Sequence, residues 1–305
     1  MHDDRMVDAF PSVMEIEAGG HFISCFFKKE DGKSIVFIHG FGASKATFLE
    51  AFSFTGFQRF TMLAPDLLGF GDSEKPSDFS YLLKDQARIL TKAIDSLGLD
   101  RFSLVTHSMG GIIGIELAEM IPDRVDSFIN AEGNITTEDC TVSGRVANMD
   151  AAQFAQRGCE ELKRSMADES EKNHDIILKE YLKDFSRATP ESLHRSSVST
   201  VLESNSGHLL ERFARLPMYK CYIYGDKNKE IYPAEAKLKK MLVPLYYVSG
   251  SDHSMMKENP REFYTLVLNE INQGLRINRG GGASACACMK VKLSEQERKS
   301  QRRFS

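Results

Sequence analysis

The chain has 305 residues, 42% of them hydrophobic and 27% charged, which is enough apolar content to bury a core and excludes disorder throughout. Its 39 basic and 43 acidic side chains leave a net charge of −4, which excludes a generally basic nucleic-acid-binding surface. Six cysteines (Cys25, Cys140, Cys159, Cys221, Cys286 and Cys288) are too few and too scattered for a disulfide scaffold, no apolar run follows the first residues, and no stretch reaches the roughly 18 apolar residues of a membrane helix.

The expectation is a soluble, cytoplasmic protein without a signal peptide or integral membrane segment. In chain order, residues 13–17 and 21–27 predict two strands joined at Gly19-Gly20, and the nearly continuous apolar run 34–38 predicts a strand buried on both faces. Residues 60–64 and 102–105 are two more strands of that kind. Between them, residues 81–97 place Leu82, Gln86, Ile89, Leu90, Ala93 and Leu97 at helical spacings, with Gly98 as the stop. Residues 109–120 predict an apolar helix, and 125–131 another strand. Strand and helix alternate at the spacing of crossover units, which predicts an α/β fold with a mostly parallel central sheet flanked by helices.

The pattern changes at residue 133. Helices are expected over 151–166, 173–185 and 190–203, the last opening on Thr189-Pro190 as cap and first helical residue. Strands return at 218–224 and 243–248, and a last helix is expected over 260–271. The organisation is therefore a core of residues 1–132 and 217–275, a helical cap of 133–216, and a flexible basic tail of 276–305. Residues 290–305 hold six basic and two acidic side chains, a solvated terminus by default and otherwise a weak contact for an anion, a membrane surface or a partner. The spacing of Cys286 and Cys288 does not by itself make a zinc site.

The sharpest local signal is Thr106-His107-Ser108-Met109-Gly110-Gly111, lying between an apolar strand and an apolar helix. A tight strand-to-helix turn of this kind holds a hydroxyl clear of the sheet, although Thr106 stands where the usual pattern has its first glycine. His39-Gly40-Phe41-Gly42-Ala43-Ser44 follows the most buried strand. Its backbone can present N–H groups to a developing oxyanion, with Phe41 and Met109 as the natural donor pair. A phosphate loop would need a Gly-Lys-Ser/Thr ending or a dinucleotide glycine spacing, and neither is present. His39 is expected to organise the loop. His253, late in the chain between a strand and the closing helix, suits a general base for Ser108. His107, next to the serine, is expected to point elsewhere.

These pieces together resemble the α/β-hydrolase superfamily, in the branch with a helical cap. The resemblance rests on HGFGAS at 39–44, DLLGFGDSEKP at 66–76, THSMGG at 106–111, YGDKN at 224–228 and SGSDHSMMKENP at 249–260, and covers about residues 12–275. It implies Ser108 as nucleophile, His253 as base, Phe41 and Met109 as oxyanion donors, and a pocket between sheet and cap. The departure is the acid: three residues after Gly225, where the family usually has aspartate, this chain has Asn228. Some relatives, notably dehalogenase-like ones, carry the acid on the strand after the nucleophile helix, which points to Glu132. Asp226 is the alternative, and a site without a carboxylate partner is the third possibility.

A serine, a histidine and a carboxylate imply an acyl-enzyme and its hydrolysis, with a carboxylic ester of a small or medium hydrophobic molecule as the simplest substrate. Ser108 argues against the dehalogenase and epoxide-hydrolase branches, which use aspartate as nucleophile. Thioester, lactone, amide and carbon–carbon cleavage stay open, as do a peracid-forming side activity, an acyltransferase or lyase, and a ligand receptor on the same fold. No cofactor and no metal are demanded, the expected partner is a small-molecule substrate and not nucleic acid, and the sequence leaves monomer or homodimer undetermined. Phe154, Phe185, Leu193, Val201, Leu202, Leu209, Leu210 and Phe213 are candidates to pack the cap or line an acyl pocket.

Overall fold

The computed structural model describes residues 11–279. Of the expected tail, 280–305 with Cys286 and Cys288 lie outside the described residues. Eight strands form one sheet: β1 Ser12–Ala18, β2 His21–Lys28, β3 Ser34–Ile38, β4 Thr61–Pro65, β5 Phe102–His107, β6 Val125–Ala131, β7 Tyr219–Gly225 and β8 Leu245–Val248. Their order is β1-β2-β4-β3-β5-β6-β7-β8. β2 runs antiparallel to β1 and β4, and the remaining neighbours are parallel.

The residue types dictate this layering. Every residue of β4, β5 and β6 is buried, as crossover helices on both faces require, whereas edge strand β1 is mostly exposed. The β1–β2 hairpin turns on Gly19 and Gly20, with φ of +68° and +88°, a pair of positive values that glycine adopts without Cβ strain. The apolar side chains divide into two clusters, one on each face of the sheet. One face is covered by α1 (Leu83–Ser96) and α2 (Gly110–Met120). The C-terminal helix Pro260–Arg279 covers the other.

The inserted helical region lies between β6 and β7. It holds α3 (Val142–Ala147), an irregular stretch with a π-helical turn at Phe154–Gly158, α4 (Cys159–Asn173), α5 (Ile176–Phe185), α6 (Pro190–Asn205) and α7 (Leu209–Arg215). Helix α6 begins as expected: Thr189 and Ser192 form a reciprocal capping box ahead of Pro190. The expected helix over 173–185 starts later, because His174 takes a left-handed conformation at φ +51° and Asp175 caps the new helix by accepting from Leu178 N–H at 2.9 Å.

Three short helices, α3, α7 and then α8 (Pro233–Lys240), are absent from the sequence expectations because about two turns carry too little periodicity. The last helix, α9 (Pro260–Arg279), runs past the expected end at 271 and through residue 275. Gly274 does not stop it. A Cβ there would lie 2.6 Å from Ser127 Cβ, so this glycine serves close approach of the helix to β6.

Candidate functional site

The strand order reverses direction at β3, with β4 on one side and β5 on the other, and ligand crevices in open α/β sheets form outside such strand ends. Both motifs of interest leave the sheet here. Ser108 follows β5 and sits at φ +53°, a left-handed conformation costing roughly 1–2 kcal/mol for a residue with a Cβ. It is over-determined by its neighbours. Its N–H donates to Ala131 O at 3.2 Å, and its carbonyl accepts from Gly111 N–H at 2.8 Å and Asn134 N–H at 3.1 Å. Gly110 is required by contact, since a Cβ there would stand 2.5 Å from Ile38 O. Thr106, the departure from the glycine pattern, is accommodated from the opposite side. Its methyl fills the space left by Gly114 of α2, 2.7 Å from where a Cβ would be, and its hydroxyl donates to Asn130 Oδ1 at 3.0 Å.

Glu132 directly follows β6, also with positive φ at +41°, and is buried to 5% exposure. Its Oε2 lies 2.8 Å from His253 Nδ1. Its Oε1 accepts from Gly225 N–H at 2.8 Å and from Asn228 Nδ2 at 3.1 Å. Asn228, at the position where the family pattern has its acid, thus acts as a donor to the carboxylate that faces the histidine. The same amide donates to Asp252 Oδ1 at 2.9 Å, which in turn accepts from His253 N–H at 2.8 Å. Asp226 is not brought to the histidine ring. Its Oδ1 accepts from Ser251 N–H at 3.1 Å and braces that loop.

The His253 side chain retains 46% exposure. Packing around the ring opposes its charging, and the Glu132 carboxylate outweighs this through its hydrogen bond and its charge, so the pKa lies above the ordinary histidine value. Ser108 Oγ makes its hydrogen bond with Asn134 Oδ1 at 3.4 Å rather than with the His253 ring, while both residues line one cavity. Contacts of this kind commonly tighten only when substrate is bound.

His107 was expected to point away and does not. Its ring centre is 4.5 Å from that of His253, and its Nε2 bonds the His253 carbonyl at 2.9 Å. Burial pushes its pKa well below the ordinary value, so it is a neutral donor that fixes the His253 backbone. Strand alternation alone directs residue 107 away from residue 108, and no local pattern reveals that the 253 loop folds over to meet it.

The loop after β3 is held from beneath. His39 Nε2 accepts from Leu67 N–H at 3.0 Å, which puts the ring proton on Nδ1, and Nδ1–H donates to Gly40 O at 2.8 Å. Burial lowers the His39 pKa and keeps the ring neutral. Gly40 O belongs to the peptide whose N–H is that of Phe41. Met109 stands at the N-cap of helix α2 on the other side. Among the described residues, neither the Phe41 nor the Met109 N–H donates a hydrogen bond within the protein.

Ser108, His253, Gly40 and Phe41 line a cavity of about 940 Å³ between the strand ends and the inserted helices. Its apolar lining includes Val142, Ile177, Leu178 and Tyr181, and carboxylates and lysines line it as well. None of the eight apolar residues named from the sequence lines it. Phe154, Phe185, Leu193, Leu209, Leu210 and Phe213 are buried in the core, and Leu202 is exposed. Hydrophobic periodicity marks an apolar helix face but does not say whether that face meets protein or void.

No described helix is long and apolar enough to cross a membrane, and no group of three or more His, Cys, Asp or Glu among the described residues is arranged to hold a metal ion. A family profile described as alpha/beta hydrolase fold matches residues 33–159. An uncharacterised protein of Mycobacterium tuberculosis, Rv2715, is 30% identical over 142 residues, 47% of this chain and 41% of that protein. The chain thus spans less than half the length of the curated relatives it matches. Among solved structures, the N-acyl homoserine lactonase AidH with bound N-butanoyl homoserine is similar at TM-score 0.69 and 18% identity, covering 86% of this chain and 97% of that one. A thermophilic esterase from Thermogutta terrifontis is similar at TM-score 0.67 and 17% identity, covering 86% and 99%. With the strand order and the turn at Ser108, these likenesses agree on one architecture, the alpha/beta hydrolase fold.

Proposed function

We propose that the protein is a serine hydrolase cleaving a carboxylic ester of a small or medium hydrophobic substrate through an acyl-enzyme. Ser108 is the nucleophile, His253 the general base and acid, and Glu132 the orienting acid, with the N–H groups of Phe41 and Met109 stabilising the oxyanion. The observation that carries this reading is the 2.8 Å contact between buried Glu132 and His253 Nδ1 in the cavity that Ser108 lines. That contact leaves Nε2 to take the serine proton.

The chemistry follows in two halves. Ser108 Oγ attacks the ester carbonyl as its proton passes to His253 Nε2, and the carbonyl oxygen becomes an oxyanion between the two N–H donors. Collapse breaks the bond to the leaving alcohol, which takes the proton from His253. Water then attacks the acyl-Ser108 ester with His253 again as base, releasing the acid and restoring the serine. Glu132 stabilises the imidazolium at each passage. The similarity of fold to an esterase and a lactonase supports ester-type chemistry, and the apolar wall of Val142, Ile177 and Leu178 supports a hydrophobic acyl group.

The test is labelling with a fluorophosphonate probe alongside turnover of short- and medium-chain activated esters and a lactone. Wild type is expected to label and turn over, with both lost in Ser108→Ala and strongly reduced in His253→Ala. Undiminished labelling of Ser108→Ala overturns the assignment.

A further inference from the structure

Helix α5 does more than roof the cavity. Tyr181, Asp184 and Phe185 lie at spacings of three and four, and so on one face of this helix. All three meet the loop after β3. The Tyr181 hydroxyl donates to Phe41 O at 2.9 Å. The Phe185 ring packs edge-on against the Phe41 ring, centres 6.1 Å apart, and the Asp184 carboxyl lies beside the Ser44 side chain. A Cβ on Gly42 would stand 2.3 Å from the Phe185 ring and 2.8 Å from the Tyr181 oxygen, so loop and helix are in close contact.

Phe41 sits between two fixed peptides. The peptide before it, which carries its N–H, is held by His39 through Gly40 O, with Ala43 N–H also donating to that oxygen at 3.3 Å. The peptide after it is held by Tyr181. A carbonyl that accepts a hydrogen bond polarises its own peptide, and a fixed peptide holds its donor where charge develops rather than reorganising during reaction.

We propose that Tyr181 is a positioning residue for the oxyanion donor at Phe41, so that the donor is aligned only when α5 of the inserted region is docked on the loop. The inference rests on the serine-hydrolase reading above. Burial raises the Tyr181 pKa, so the phenol stays a donor across the working pH range.

The test is Tyr181→Phe, which keeps the ring and removes the one donor. An alignment role predicts kcat lower by about tenfold at nearly constant KM, a fraction of the about 10²–10³-fold lost with a whole oxyanion donor. It also predicts that 1-butaneboronic acid, whose tetrahedral adduct on Ser108 presents an oxygen to the oxyanion site, binds weaker by the same factor as kcat/KM falls. A merely structural role would move the melting temperature without this parallel. Wild-type kcat in Tyr181→Phe, or a loss with boronate affinity unchanged, overturns the alignment. A wild-type protein that neither hydrolyses esters nor takes up the boronate overturns the hydrolase reading, and this one with it.

Discussion

Glu132→Gln isolates the charge beside His253 while keeping the shape of the side chain. At an effective dielectric constant of about 20, a carboxylate 2.8 Å from the imidazolium that forms during reaction contributes about 6 kcal/mol. The ring is 46% exposed, and solvent screening reduces the contribution, to roughly half. The expected loss in kcat/KM is therefore between about 10²- and 10⁴-fold, with the upper end equal to the loss on making an amide of a triad aspartate. The pH profile carries the sign. In wild type the carboxylate holds the His253 pKa up, and only the neutral ring accepts the serine proton, so kcat/KM falls as pH drops through that raised value. Glu132→Gln removes the cause, and the acid limb moves to lower pH. Steady-state kinetics from acid to neutral pH, on a short-chain activated ester, measure both effects. A replacement carboxylate through Asn228→Asp in the Glu132→Gln background restores part of the rate, because position 228 lies within hydrogen-bond reach of residues 132 and 252. The same change in wild type lowers activity, since two carboxylates about 3 Å apart share a proton. Glu132→Gln with near-normal kcat/KM and an unmoved acid limb would refute the reasoning.

Asp226→Asn is expected to leave kcat/KM within a few-fold of wild type, because Asp226 touches Ser251 N–H and not the ring; a loss as large as that of Glu132→Gln in the same assay would transfer the acid's role to it. Leu178→Trp narrows the cavity wall and shifts preference toward shorter acyl chains, read as the ratio of kcat/KM for short and medium esters. Gly114→Val drives a branched side chain into the Thr106 methyl and the Phe128 ring, both 2.7 Å from its Cβ, and lowers stability by about 1–3 kcal/mol in denaturant melts.

Much of the fold is legible because the buried strands are short continuous apolar runs with glycine or polar stops; β3 and β6 match their expected limits of 34–38 and 125–131. The candidate site is legible where local geometry dictates it. The turn at Ser108 needs small neighbours, and the amide at Asn228 marks a missing charge that must be supplied elsewhere. What the sequence conceals is long-range. The contact of His107 with His253 joins residues 146 positions apart, and that of Tyr181 with Phe41 joins residues 140 apart. Neither leaves a periodic trace. The cavity wall escaped for a related reason: Ile177 and Leu178 have the same apolar character as the buried Phe185, and only the packed structure separates wall from core.

The left-handed backbone at Ser108 sets chemistry against durability. Its hydroxyl makes one long hydrogen bond at 3.4 Å, so the fold gains little from the side chain that it strains to hold out. Glycine occupies that conformation freely, and Ser108→Gly is accordingly expected to raise stability by about 1 kcal/mol while abolishing labelling by fluorophosphonate. The protein thus holds backbone strain at the residue proposed to do its work, and selection for thermal hardiness alone would favour replacing that residue.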